Sequence, residues 1–360
     1  MSLTVDIEKQ LDSFLLSVSF TADDGVLSLL GPSGSGKSMI LRCISGIEKP
    51  DCGRIVLNGR VFFDSERHIN MSPQQRRTGY LFQNYALFPN MTVLENIMSS
   101  IRSERKLCRE DKRTLAADMA ARMRLSDVVN RRATDLSGGQ MQRTALARIL
   151  INDADIMMLD EPFSALDEHL RFTMEKELRA VIRDFGKTVL LVSHNRDEVY
   201  RMADHVAVLN SGRIEHIGTV KNVFAAPATV TAARLTGIKN IAPAAFDSDG
   251  ILVVPGWGLS MPCASAGCPG CRDLSAVAAA GIRMNDIKLP SQKAGAGRVY
   301  TLAVDCVVEN LFSYTVELHN PAVSSPLPLY WQVSRDVWQP DGTEVIDLFI
   351  PDDAVTALEK

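Results

Sequence analysis

The 360-residue sequence contains no run approaching the ~18 apolar residues that a membrane-crossing helix needs, so any membrane role has to come through a partner. It also lacks a basic excess. Its 39 Lys and Arg face 43 Asp and Glu, a formal charge of −4, which argues against bulk binding to nucleic acid. The opening MSLTVDIEKQ carries charges where a secretory leader needs its apolar centre, so no leader is expected. Cysteine is scarce and odd in number: seven residues fit a complete disulfide framework poorly and point to a reducing cytosol. No internal repeat stands out. The remainder is globular in composition, 46% hydrophobic and 23% charged, and long enough for a large core and two domains.

The first part alternates strand-like apolar runs with helical stretches. GVLSLL (25–30), TGYLFQ (78–83), ADIMMLD (154–160) and KTVLLVSH (187–194) read as buried strands of a mostly parallel sheet covered by helices, an α/β arrangement. SPQQRR (72–77) has the marks of a helix start, with Ser72 as N-cap, Pro73 at the first helical position and Gln75 closing a capping box. Residues 102–135 are rich in Arg and Lys, with Leu115, Met119 and Met123 at helical spacing. That stripe is the packed face of an amphipathic helix and predicts a helical insertion over about 90–150. A break follows NVFAAPATV (222–230). We expect a first domain over 1–228, a linker at 229–238 and a β-rich domain over 239–360. In that last domain ILVVPG, VYTLAVDCVVENL, PLYWQVS and TEVIDLFIP predict a small antiparallel, OB-like barrel or sandwich, with SQKAGAGR (291–298) as a surface loop.

Four segments carry chemistry. GPSGSGKS (31–38) matches the phosphate-loop pattern between a strand and the helix-like MILRCISGI. Gly31, Gly34 and Gly36 allow close backbone approach, Lys37 can reach β- and γ-phosphates, and the Ser38 hydroxyl can ligate Mg²⁺. Pro32, Ser33, Ser35 and Met39 complete this ATP-binding segment. The alternative, a plain Gly/Ser-rich turn, does not account for the full motif in this context. IMMLDEP (156–162) ends a strand in two acids. Alone that is usually a solvated loop, but beside the lysine loop Asp160 suits Mg²⁺ and Glu161 suits the proton of an attacking water. His194 closes VLLVSH. A lone histidine is more often structural, yet ligands sit outside the carboxyl ends of parallel strands, where it can contact a γ-phosphate and position water. Finally, DLSGGQMQR (135–143) opens a second helix on two glycines, another start that favours an anion.

Together these segments resemble the ATP-binding-cassette ATPase family over roughly 1–225. The resemblance implies that LFQNYALFP is the Q-loop, with Gln83 serving catalysis and Mg²⁺ beside Ser38 and Asp160. It further makes LSGGQMQR the signature, SALD (164–167) the D-loop and His194 the switch histidine. It places Phe14 against adenine, with Phe20 near enough to compete. In this family two cassettes pair head to tail, so Ser137, Gly138, Gly139, Gln140 and Asp167 are implied to serve the ATP of a second copy of the chain. That answers why one chain has two phosphate-grasping loops. Met141, Thr144 and Asn195 depart from commoner family choices and flank the key groups, where they bear on rate rather than on whether hydrolysis occurs.

The order of one cassette followed by a β-rich domain resembles bacterial importers for sugars, iron, polyamines, sulfate and molybdate. It implies ATP and Mg²⁺ as cofactors, permease subunits and an external solute-binding protein as partners, no nucleic acid, and a peripheral place on the cytoplasmic face. In NYALFPNMTVLENI, Tyr85, Leu87, Phe88 and Met91 are candidates either for a groove taking a permease helix or for a simple subdomain core. IVLNGRVFFDS and RLTGIKNIAPA look most like molybdate-importer ATPases, and AAGIRMNDIKL (279–289) resembles a segment of accessory barrels that in some relatives bind the transported oxyanion and arrest the motor. The class-distinct alternative is a soluble cassette ATPase acting on nucleic acid or ribosomes. PCASAGCPGC sets Cys263, Cys268 and Cys271 in a C-x4-C-x2-C array. With Cys306 it is either a Zn²⁺ or iron–sulfur site or an ordinary loop insertion.

Overall fold

The structure is a computed structural model that describes residues 2–102, 106–164, 168–262 and 276–359. The chain divides into two compact units, Met1–Val220 and Lys221–Lys360.

The first unit opens with a sheet that its alternation dictates. β1 (Leu3–Gln10) buries Leu3, Val5 and Ile7 and exposes Thr4, Asp6 and Glu8, the period of a half-buried strand. It pairs antiparallel with β2 (Leu15–Ala22). After β3 (Gly25–Leu30) and α1 (Lys37–Ser45) it also pairs with β4 (Cys52–Leu57). β5 (Arg60–Asp64) and β6 (Ile69–Asn70) complete the order β2-β1-β4-β5-β6. α2 (Pro73–Arg76) follows, with the Ser72 N–H donating to Gln75 Oε1 at 3.1 Å as the capping box requires.

The second sheet holds the buried runs. It comprises β3, β7 (Thr78–Leu81), β8 (Ile156–Asp160), β9 (Thr188–Ser193), β10 (His205–Asn210) and β11 (Arg213–Thr219), in the order β11-β10-β3-β9-β8-β7. All pairings are parallel except β10 with β11. β8 and β9 are buried at every residue, as strands covered on both faces are. This is the mostly parallel sheet expected.

The helical insertion contains α3 (Val93–Ser100), α4 (Arg109–Arg122) and α5 (Gly138–Leu150), but its stripe differs from expectation. α4 buries Ala116, Met119 and Ala120, whereas Leu115 is 37% exposed. Two alanines one turn apart leave room for Val93, Leu94 and Ile97 of α3 in the shared core, so small residues set the packed face. α6 (Glu168–Phe185) and α7 (Arg196–Met202) complete the cassette.

α8 (Val220–Ala225) stands at the division between the units. The stretch 229–238, expected as a linker, instead folds into α9 (Val230–Leu235). Thr229 caps it by accepting from the Ala232 N–H at 3.1 Å, and Ala233 and Ile238 pack with Ala279 and Leu358. The strands of this unit are β12 (Asn240–Pro243), β13 (Ala245–Phe246), β14 (Ile251–Val254), β15 (Leu259–Pro262), β16 (Val277–Ile282), β17 (Gly297–Glu309), β18 (Ser313–His319), β19 (Leu329–Ser334), β20 (Val345–Pro351) and β21 (Val355–Glu359). Their ladders form the orders β12-β16-β21, β13-β14-β15 and β19-β18-β17-β20, every one antiparallel. All three close on one apolar core, the curled antiparallel sheet expected of the β-rich domain. Its buried indoles are satisfied, Trp257 donating to the Pro328 carbonyl at 3.2 Å and Trp331 to that of Ile287 at 2.9 Å.

Candidate functional site

The phosphate loop links β3 to α1, and its geometry depends on two glycines. A Cβ on Gly31 would lie 2.3 Å from the Leu209 carbonyl oxygen, and Gly36 caps α1 at φ 103°, in the left-handed region. Among the described residues, α1 starts without a side-chain cap, the buried Ser35 hydroxyl has no hydrogen-bond partner, and a Cβ on Gly34 would meet nothing within 4 Å. The loop therefore leaves the uncapped start of α1 beside the open space at Gly34, which fits a phosphate. Pro32 and Ser33 are exposed, and Met39 packs partly on the core. Lys37 is buried and donates to the Gly31 and Pro32 carbonyls at 2.8 and 2.7 Å. Burial pulls its ammonium below the ordinary value, opposed by the Glu161 and then the Asp160 carboxylate.

The ends of β7, β8 and β9 bring the acids and the histidine to one edge of the sheet. Ser38 Oγ donates to Asp160 Oδ1 at 2.8 Å, a hydroxyl–carboxylate pair of the hard-oxygen type that Mg²⁺ takes. Glu161 has φ 47°, an uncommon conformation for a side-chain-bearing residue. It is held there by its N–H on the Val192 carbonyl at 3.0 Å, while its own carbonyl accepts from the Ser164 hydroxyl at 3.0 Å. His194 Nδ1 lies 3.2 Å from Glu161 Oε1, and Gln83 Nε2 donates to Glu161 Oε2 at 3.4 Å. Residues 83, 161 and 194 thus meet on one carboxylate. Behind His194, the buried Ser193 hydroxyl donates to Glu198 Oε2 at 2.7 Å and accepts from the Asn195 N–H at 2.9 Å. Burial raises the Glu198 carboxyl.

Of the two aromatic candidates, Phe14 is beside the loop. Cβ atoms built on Gly36 and Gly212 would lie 3.6 and 2.7 Å from its ring, whereas Phe20 is buried in the core. Ser137 caps α5, accepting from the Gln140 N–H at 3.4 Å, and Gln140 Oε1 accepts from the Ser137 N–H at 3.0 Å. Ser137 is exposed, Gly138 half-buried and Gly139 buried. Asp167 and the Cys263, Cys268 and Cys271 array lie outside the described residues, and Cys306 is exposed on β17. Tyr85 lines a groove of about 610 Å³ with Tyr80, Arg148 and Asn152, and its buried hydroxyl has no partner among the described residues. Leu87, Phe88 and Met91 are not among the groove's lining residues, and the Arg148 guanidinium sits 5.2 Å over the Phe88 ring. The sequence reading missed Tyr80, whose hydroxyl donates to Asp160 Oδ2 at 2.9 Å. A polar tip on an otherwise apolar strand was the only available signal.

A phosphate loop and an acidic strand end on a parallel sheet define a nucleotide-hydrolysing cassette. Residues 15–164 match the family model described as ABC transporter. The chain is 39% identical over 282 residues to the spermidine/putrescine import ATP-binding protein PotA of Nitratidesulfovibrio vulgaris, covering 78% of this chain and 71% of that one. It is 42% identical over 225 residues to the PotA of Lawsonia intracellularis, where the match covers 61% of this chain and 58% of the relative. The chain belongs to the ABC transporter family, and its cassette is an ATPase that takes ATP with Mg²⁺. Among solved structures, the dimeric ATP-binding cassette MJ0796 in a post-hydrolysis state bound to ADP and Pi is 26% identical. It aligns with a TM-score of 0.51 over 61% of this chain and 99% of that one. The two PotA relatives bear a polyamine name, so the molybdate expectation has no support from them.

Proposed function

We propose that the chain is the ATP-hydrolysing subunit of a bacterial polyamine importer, peripheral on the cytoplasmic face of the membrane. The observation that carries the hydrolytic part is the meeting of Gln83, Glu161 and His194 at the strand ends next to the Ser38–Asp160 pair. Glu161 accepts the proton of the attacking water. His194, with Nδ1 toward Glu161, has its other ring nitrogen for a γ-phosphate oxygen, and Lys37 exchanges the loop carbonyls for the phosphates. Phe14 takes the adenine ring. Ser38 and Asp160, with Gln83 nearby, would hold Mg²⁺, which would supply positive charge to offset that of the phosphates.

Two copies act together, Ser137, Gly138, Gly139 and Gln140 of one meeting the ATP of the other; the dimeric cassette MJ0796 supports this pairing. Closure on ATP and reopening after hydrolysis are passed to permease subunits through the groove beside Tyr85, which suits an amphipathic helix. A solute-binding protein outside the membrane completes the system. The cargo rests on the relatives' names, and the polyamine alternative takes the place of molybdate.

The test is uptake. Proteoliposomes containing this chain, its permease and its binding protein should take up labelled spermidine in proportion to ATP hydrolysed, with molybdate neither competing nor accumulating. Per-chain hydrolysis that stays constant on dilution far below dimerisation would remove the paired mechanism, and uptake of molybdate alone would remove the cargo.

A further inference from the structure

Asp160 is the carboxylate expected to bear on Mg²⁺, and it is gripped from two sides. The Ser38 hydroxyl donates to Oδ1 at 2.8 Å and the Tyr80 hydroxyl to Oδ2 at 2.9 Å. The first contact belongs to the phosphate loop, whereas the second comes from a residue that none of the motifs includes. β7 pairs with β8 so that Tyr80 stands opposite Met158. Asp160 lies two residues further along β8, on the same face as Met158, so the phenol reaches it along the sheet diagonal.

The ring is fixed from below. It meets Phe82 edge-on, with centroids 4.2 Å apart and planes at 85°, and packs partly against the apolar cluster that includes Leu27, Ile40 and Met158. The phenol hydroxyl has one proton to give, and with a carboxylate oxygen as its partner it is the donor of the pair. A carboxylate that accepts from a braced hydroxyl on one oxygen cannot rotate freely. Hydrogen bonds of this kind to metal-bearing carboxylates fix their orientation.

The geometry points to Tyr80 as a positioning residue of the Mg²⁺ site: its hydroxyl locks Asp160 Oδ2 and thereby keeps Oδ1 against the Ser38 hydroxyl, where a metal accompanying ATP needs both oxygens. The inference rests on the nucleotide reading above and goes beyond it in naming what holds the acid. A core tyrosine with no such role would lose nothing toward metal when its hydroxyl is removed, because Tyr80→Phe keeps the ring and its contact with Phe82.

The experiment uses the full chain and a non-hydrolysable ATP analogue, adenylyl-imidodiphosphate, with binding followed by calorimetry while Mg²⁺ is titrated and again in EDTA. Tyr80→Phe is expected to raise the Mg²⁺ concentration at half-effect about tenfold or more while leaving the EDTA affinity unchanged. In an Asp160→Ala background the same change should add nothing, since the acceptor is gone. A lower melting temperature does not disturb this comparison, because both arms are read on one preparation. An unmoved Mg²⁺ half-point, or an equal loss in EDTA, overturns the role of Tyr80. Failure of the unaltered chain to bind the analogue under either condition overturns the nucleotide reading and this role with it.

Discussion

Replacing Arg76 by methionine should destabilise the cassette by about 3 kcal/mol, through the far end of the helix that carries Lys37 and Ser38. Arg76 is fully buried. Its Nη1 donates to the Cys43 and Ile44 carbonyls at 2.7 and 2.9 Å, its Nε to that of Met71 at 3.0 Å, and its Nη2 to Asn70 Oδ1 at 2.9 Å. Two of those acceptors are carbonyls near the end of α1, of which Cys43 also accepts from the Gly46 N–H at 3.3 Å. Methionine keeps the stem's volume and deletes every donor. Each buried acceptor left unpaired costs about 1–3 kcal/mol, and the Ile44 and Met71 carbonyls set the upper bound, since Cys43 keeps the Gly46 N–H and the exposed Asn70 turns to water. Against that stands the cost of burying the guanidinium, which pulls its pKa down to about 10 and which methionine avoids. The net effect falls near the low end of the range.

With an m-value of about 2–3 kcal/mol per molar urea for a unit of this size, the cassette midpoint should fall by roughly 1 M. The three tryptophans, Trp257, Trp331 and Trp338, all lie in the second unit, so their fluorescence reports that unit, and far-UV circular dichroism adds the cassette. A circular-dichroism midpoint unmoved by Arg76→Met would refute the reasoning.

Glu161→Gln keeps the shape that His194 and Gln83 touch but removes the base. Turnover should drop about 10²–10⁴-fold with ATP affinity retained, and unchanged turnover in a coupled phosphate assay would assign the base elsewhere. Phe14→Ala should weaken ATP binding by about 1–3 kcal/mol in calorimetry, whereas Phe20→Ala should chiefly lower stability; the reverse pattern would move adenine to Phe20. Burial pushes the Cys43 thiol up from 9.0 to about 12. Above the unfolded value the unfolded chain loses a proton that the folded chain keeps, so this group's contribution to stability is full below pH 9 and declines as pH rises toward 12. Cys43→Ala should flatten that alkaline decline in urea titrations at successive pH values, and an identical slope would remove Cys43 as its source.

The strands that carry the site were legible because burial leaves a long trace. LLVSH and IMMLD are apolar at every position short of their ends, so both the parallel sheet and the shared edge for Glu161 and His194 could be read from the sequence. Single contacts left no such trace. Tyr80 reads as one more core aromatic until the β7–β8 register brings its hydroxyl to Asp160, and register depends on strands 80 residues apart. The stripe on α4 failed for a related reason. Large residues at 115, 119 and 123 gave the stronger pattern, but the neighbouring helix determined which face could approach, and Ala116 and Ala120 supplied it. The stretch 229–238 looked like a linker because alanine and threonine are weak apolar signals, yet they suffice once Ala279 and Leu358 are there to be covered. Periodicity therefore reports what a segment must bury, and the partner that accepts it decides which side chains do the burying. Tyr80 and Arg76 went unread for this reason: each is a polar side chain on an element whose apolar pattern is satisfied without it, and each is defined by a partner far off in the chain.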